Sequence, residues 1–267
     1  MKLQLSKGFY LHFPLITQLL EYVCNNNQAK FTGDELSQAV GLSSSQVANL
    51  CSMAQAMGLM NKITYTPTEF ASVVWQKDRF FDDVGTLWMC HYNVSSDPYH
   101  VIWHRLVNQA MHEKKEWNSQ DVREYFDDLK GNFSERSIKK HIPKEILTFV
   151  NAYTEQQFSK LRLLSAKDGT YSKTEPIAVP DLIFLAATLK FRELFTPDET
   201  ALEIDRIIYS EGSPGMVFFM NENRVRDLLE RLRIEGHIYI ESRADLDQIR
   251  FAGKKNIGEL VEFYYDG

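Results

Sequence analysis

The sequence predicts a mainly α protein built from multiple helix-turn-helix or winged-helix modules with small β-hairpin wings. A pattern used twice is the first reason. An aromatic residue, a short capped helix, a turn and a second helix read as Phe31-Thr32-Gly33-Asp34-Glu35-Leu36 leading to Leu42-Ser43-Ser44-Ser45-Gln46-Val47. The same order recurs as Trp117-Asn118-Ser119-Gln120-Asp121-Val122 leading to Phe133-Ser134-Glu135-Arg136-Ser137-Ile138. The second reason lies near the C-terminus, where helical segments precede His237–Glu241 and Gln248–Phe251, which alternate like paired strands around a polar loop. Units of this kind commonly set one helix against DNA.

Leu15, Ile16, Leu19, Leu20 and Val23 recur at helical spacing and predict a first helix from Phe9 to about Asn25. A short helix through Val40 starts at Thr32 or Gly33, with Asp34 and Glu35 where the helix dipole favours acids, and Gly41 stops it. Ser43 is a good N-cap for a helix that carries Val47, Leu50, Cys51, Ala54 and Met57 inward and ends at Gly58. Leu59–Thr66 reads as a short wing strand, and Thr66-Pro67-Thr68-Glu69 opens another helix. The aromatics between 70 and 115 are expected at helix–helix contacts, with a turn at Ser95-Ser96-Asp97-Pro98 between helices at about 84–93 and 99–113. The long helix from Ser134 to Tyr153 should kink or break near His141-Ile142-Pro143, because proline lacks a donor and clashes with the preceding turn.

Leu164 to Pro180 is the best linker, with a hairpin or loop at Lys167-Asp168-Gly169-Thr170. Beyond it, helices are expected over about Val179–Leu194 and from Pro197 to about Tyr209. A tight turn comes next at Glu211-Gly212-Ser213-Pro214-Gly215, then a helix capped by Asn221 and running through Glu235. The organisation expected is an N-terminal winged helix over 1–75, a central helical region with a second helix-turn-helix over 76–165, and a C-terminal winged-helix-like domain over 166–267.

Composition bounds the function. A chain of 267 residues suits two or three domains. No apolar run approaches the roughly 18 residues of a membrane span, and Met1–Lys7 lacks a signal peptide's apolar core. Cys24, Cys51 and Cys90 form no C-x-x-C pair, so neither a disulfide framework nor a zinc ribbon is indicated and a cytoplasmic location is expected. The net charge of −6 comes entirely from residues 171–267, which hold twelve basic and eighteen acidic residues. Any phosphate-binding surface must therefore be a local patch.

The sharpest such patch is Arg136, Lys139, Lys140, His141 and Lys144. Positions 136, 140 and 144 share one helical face, and a helix N-terminus with such cations can grip phosphate. Glu135 and Glu145 beside it are equally in keeping with a solvated helix face. The helix after Ser43 carries no charge, yet Ser43, Ser44, Ser45, Gln46 and Asn49 could read base edges; packing against protein is the competing reading. Arg224, Arg226, Arg231 and Arg233 alternate with Glu222, Asp227, Glu230 and Glu235, a pattern more typical of an ion-paired surface, with Lys254 and Lys255 as basic additions. His91, His100, His104 and His112 cluster with Cys90, but no H-E-x-x-H pattern or firmly spaced third ligand accompanies them, so no metal and no other cofactor is expected. No nucleophile motif, P-loop or dinucleotide loop is present.

Several segments in one order resemble the bacterial family called domain of unknown function (DUF) 4007. They are Thr66-Pro67-Thr68-Glu69-Phe70, Asp83-Val84-Gly85-Thr86-Leu87-Trp88, Ser137-Ile138-Lys139-Lys140 leading to Phe149-Val150-Asn151-Ala152-Tyr153, and Ser213-Pro214-Gly215-Met216-Val217-Phe218. The start, Gly8-Phe9-Tyr10-Leu11-His12, departs from the Gly-His-Glu-Thr-Phe type associated with the family. The resemblance implies a bacterial accessory protein, often encoded near sulfotransfer-type enzymes and DNA-modification or anti-phage genes. Together these readings predict a non-enzymatic protein that binds double-stranded DNA in a defence or DNA-modification system. The alternative is an adaptor whose winged helices dock a partner enzyme of that system. No membrane partner is expected, and an oligomer is compatible with the sequence.

Overall fold

Local capping and hydrophobic period set the N-terminal helices. The computed structural model describes residues 1–243, 246–254 and 256–267. Helix α1 (Phe13–Asn25) buries Phe13, Ile16, Leu19, Leu20 and Val23, but it begins four residues later than expected. Pro14 explains this: farther inside a helix its ring would clash with the Tyr10 carbonyl, whereas the first turn tolerates it. Helix α2 (Gly33–Val40) has a capping box, with Thr32 Oγ1 accepting from Glu35 N–H and Glu35 Oε2 accepting from Thr32 N–H. It ends at Gly41, whose φ of 71° lies in the left-handed region. Helix α3 (Ser44–Ala56) comes directly after it.

The expected strand over Leu59–Thr66 is absent. A turn stands there, closed by a single bridge between Met60 and Pro67. The Asn61 side chain donates to Thr66 Oγ1 and to the carbonyls of Thr66 and Pro67, so the chain reverses before a strand can extend. Helix α4 (Glu69–Lys77), capped by Thr68, leads to α5 (Val84–Ser96), capped by Asp83. Eleven of the thirteen residues of α5 are buried, Thr86, His91, Ser95 and Ser96 among them, which makes it a central helix enclosed on nearly every side. Next come α6 (Val101–Arg105), a π-helical turn (Leu106–Ala110) and α7 (Met111–Glu113).

The second copy of the sequence pattern folds differently from the first. Trp117 enters a two-residue strand, β1 (Glu116–Trp117), and the chain then forms a turn and a 3-10 helix (Arg123–Gly131) instead of an α-helix. Asn118 Oδ1 accepts from Gln120 N–H at 2.7 Å, and Asp121 Oδ2 accepts from Asn118 N–H at 2.8 Å. These side chains offer the backbone an alternative to helix. Helix α8 (Glu135–Thr154) then runs unbroken through Pro143. One backbone donor is lost, yet Ile142, Ile146, Phe149, Val150 and Tyr153 bury on its inner face and hold the helix across it.

The expected linker is largely structured. β2 (Leu164–Lys167) and β3 (Thr170–Lys173) form a hairpin, and β1 adds to it in the antiparallel order β1-β3-β2. Asp168 and Gly169 both have positive φ, as the tight two-residue hairpin turn requires. Trp117 and Tyr171 meet edge to face across β1 and β3 with ring centroids 4.9 Å apart, which ties the hairpin to the helices before it. Contacts divide the chain into two units, Met1–Ile177 and Ala178–Gly267. Trp88, Trp103, Phe149, Tyr153 and Phe158 form the aromatic centre of the first.

The second unit runs α9 (Asp181–Phe195), β4 (Leu202–Glu203), α10 (Ile204–Tyr209), α11 (Pro214–Val217), α12 (Glu222–Ile234), β5 (Ile238–Arg243), β6 (Leu246–Phe251) and α13 (Ile257–Asp266). Its antiparallel sheet has the order β4-β6-β5. The expected tight turn forms at 210–213, where Ser213 N–H donates to the Ser210 carbonyl at 2.9 Å and Gly212 has a φ of 78°; Ser213 Oγ then accepts from Met216 N–H and caps α11. Helix α13 packs against α9; its signal was the Asn256/Glu259 capping box. Residues 244–245, part of the polar loop expected between the strands, lie outside the described residues, as does Lys255.

Candidate nucleic-acid interface

Helix α8 turns two chemically opposite faces outward and inward. Ser134 caps it by accepting from Ser137 N–H. On the inner face Glu145 is 1% exposed. Its carboxylate accepts from the N–H groups of Leu5 and Ser6, from Ser6 Oγ and from Trp103 Nε1, at 3.0–3.2 Å. Burial still holds its carboxyl above the ordinary range, with those hydrogen bonds acting the other way. The result is a fixed seat for the N-terminal segment alongside α8.

The outer face carries Arg136, Lys140 and Lys144, all exposed and all without a carboxylate partner among the described residues. Lys139 differs, since it pairs with Glu135 at 3.2 Å. His141 registers the local field: burial and then the charges of Lys140 and Lys144 push its imidazole below the ordinary value. Several other cations are neutralised. Arg105 meets Asp128, Lys160 meets Asp82, Arg231 meets Asp181 and Arg250 meets Glu241.

The other expected site residues are scattered. Ser43 donates its Oγ–H (2.7 Å) and its backbone N–H (3.1 Å) to Gln46 Oε1, and Ser45 Oγ lies 3.3 Å from Ser43 Oγ, so this cluster begins α3. Asn49, expected on a base-reading surface, is only 4% exposed. Its Oδ1 has no hydrogen-bond partner among the described residues. In the second unit, Arg226 is held by Glu222 at 2.7 Å, Asp247 at 3.1 Å and Asp205 at 3.8 Å. Arg224 makes no ion pair among the described residues. Lys254 is exposed.

The histidines do not converge. His91 Nδ1 bonds Tyr153 OH, His100 Nδ1 faces the Val94 carbonyl and His104 Nδ1 faces the Ser95 carbonyl. Among the described residues no three His, Cys, Asp or Glu side chains come together as a metal set. Burial raises the thiols of Cys90 and Cys51, the latter to about 12, which leaves them protonated and unreactive.

One feature was missed from sequence. A cavity of about 380 Å³ lies between the Gly8–His12 segment and α3, with Ser6, Tyr10, Gln46, Asn49 and Met53 in its wall. No sequence signal marked it, because its wall joins the Gly8–His12 segment to residues of α3 that lie more than thirty positions away.

The fold and this site define a mainly helical protein with small antiparallel sheets and an unpaired basic helix face. The chain belongs to the DUF4007 family, described as protein of unknown function, which matches residues 7–265. No curated protein matches it. Two solved structures share its fold. One is titled "Magnesium ion-bound SspB crystal structure" (TM-score 0.79, 16% identity) and one "SspB crystal structure" (TM-score 0.78, 15% identity). Each alignment covers 98% of this chain and 87% of the other. None of the helices described is long and apolar enough to cross a membrane.

Proposed function

We propose that this protein is a non-enzymatic, cytoplasmic DNA-binding accessory protein of a bacterial anti-phage defence or DNA-modification system. The observation that carries this reading is the outer face of α8. Three cations stand one helical turn apart there, exposed and with no carboxylate partner among the described residues. Such a row fits successive phosphates of a duplex, and contacts of this kind position a protein without reading sequence. The second unit lends some support to the reading: its order of helix, strand, helices and hairpin is compatible with a winged helix, in which α12 would serve as the recognition helix.

An adaptor role, docking defence or sulfotransfer-type enzymes, has its own support. Arg226, Arg231 and Arg233 of α12 are all engaged by carboxylates, which leaves that helix little charge for DNA. One of the two fold relatives is titled as magnesium-bound; among the described residues of this chain no three His, Cys, Asp or Glu side chains come together, and no step is assigned to a metal. Fluorescence anisotropy with a labelled duplex at low and moderate salt tests the DNA reading. Micromolar binding that weakens steeply with salt is expected. Absence of salt-sensitive binding, with nuclease-resistant co-purification of a neighbouring gene product, would replace it with the adaptor.

A further inference from the structure

A groove of about 260 Å³ lies where α8 meets the 3-10 helix before it. Arg123, Phe126 and Lys130 wall it on one side, and Ile138, Lys139 and Pro143 of α8 on the other. Phe126 and Ile142 are buried and close its floor. Ile138 and Pro143 are half-buried and keep apolar surface open to a ligand. Small-ligand pockets span roughly 300–1,000 Å³, so this volume suits a single apolar anchor better than a whole cofactor.

Charge around the groove runs one way. Its wall holds three cations, Arg123, Lys130 and Lys139, against one carboxylate, Asp127. Arg123 is exposed and makes no ion pair among the described residues. Lys130 meets Asp127 at 2.9 Å and Lys139 meets Glu135 at 3.2 Å. All four of these side chains are exposed, and ion pairs of that kind are weak enough to be exchanged. Pro143 stands three residues after Lys140 and seven after Arg136, so the groove shares an edge of α8 with the unpaired row. One turn beyond Pro143, and three residues after Lys144, Leu147 is 46% exposed and lengthens the apolar strip. Phosphates alone leave the groove and Leu147 unused. A purely apolar ligand leaves the cations unused. A peptide that carries carboxylates around an apolar anchor engages both.

We propose that this groove docks an acidic peptide segment of a partner protein. One apolar side chain of the segment seats against Ile138 and Pro143, and carboxylates on either side of it meet Arg123, Arg136 and Lys140. Docking and duplex binding then exclude each other, because both draw on Arg136 and Lys140. A partner with such a segment releases the protein from DNA. The exclusion rests on the DNA-binding role proposed for the α8 face; the docking itself does not.

The probe is a fluorescein-labelled peptide, Asp-Glu-Asp-Phe-Leu-Asp-Glu-Asp, titrated by anisotropy. Its control has serine in place of Phe-Leu and the same charge. The control is expected to bind about ten-fold more weakly, since burying one large apolar side chain is worth at least that factor. Ile138→Ser should bring the two peptides to nearly equal affinity. Should that variant fail to fold, Arg123→Glu, at an exposed position, should weaken the first peptide about five-fold. Unlabelled, the first peptide should displace a labelled duplex about ten-fold more effectively than the control. Equal affinity for the two peptides, or none for either, overturns the docking and leaves the DNA reading intact. Tight docking with the duplex still bound overturns the exclusion. Should no duplex bind at all, the peptide titrations still decide the docking. Binding of phosphatidylserine vesicles in the peptide's place, or a dimer in sedimentation that Ile138→Ser abolishes, would give the groove to a membrane surface or a second copy and overturn it as well.

Discussion

Burial decides which individual side chains carry chemistry here. His100 has lost most of its solvent, and burial pushes its imidazole down to about 4. Asp97 acts in the opposite direction, and Lys62 and Lys2 add to the depression. The unfolded chain therefore takes up this proton first, and stability falls as pH drops from about 6.5 to about 4. A shift of this size corresponds to about 3 kcal/mol at the acid end of the window. Urea titrations at pH 7 and pH 4 should show wild type losing about that much more stability than His100→Gln. Equal losses in the two proteins would mean that His100 is not held neutral. At the same scale, Arg136, Lys140 and Lys144 were legible in the sequence because helical spacing alone places them on one face. Asn49 was misplaced because an uncharged amphipathic helix does not reveal which of its polar groups turns inward.

Elements were legible where a cap and a period agree, as in α2, α3 and α12. They were not legible where tertiary packing or side-chain turns prevail. Pro143 sits inside an intact helix, Asn61 replaces a strand with a turn, and Asn118 and Asp121 replace a helix with a turn. The short element after α10 makes a sharp prediction. A Cβ on Gly215 would lie 2.5 Å from the Ile208 carbonyl oxygen and 2.7 Å from Ile208 Cα, both backbone atoms with little room to yield. Gly215→Ala should therefore cost about 3 kcal/mol, as overpacked sites do. At Gly33, by contrast, an added Cβ meets nothing within 4 Å, and Gly33→Ala should stabilise by about 0.5 kcal/mol through reduced chain entropy. Denaturant midpoints of the two variants check both signs; equal midpoints would remove the close-approach argument.

Charge is divided unevenly over the whole molecule. Residues 1–177 hold nineteen basic and nineteen acidic residues, whereas 178–267 hold eleven and seventeen. The second unit thus carries the entire negative excess, and the first is neutral with an unpaired basic row on α8. This contrast was partly readable, because counts along the chain locate the excess, while the ion pairs that neutralise α12 needed the fold. The most direct measurement is the salt dependence of duplex binding for wild type and for a triple variant, Arg136→Ala with Lys140→Ala and Lys144→Ala. If each side chain meets one phosphate, the slope of log affinity against log salt should fall by about three units, since each neutralised phosphate contributes about 0.9. Folding should be nearly unaffected, because exposed substitutions change stability by only about 0.5 kcal/mol. A folded triple variant with an unchanged slope would contradict α8 as the phosphate-binding face and shift the contact to Arg224 or to no DNA at all.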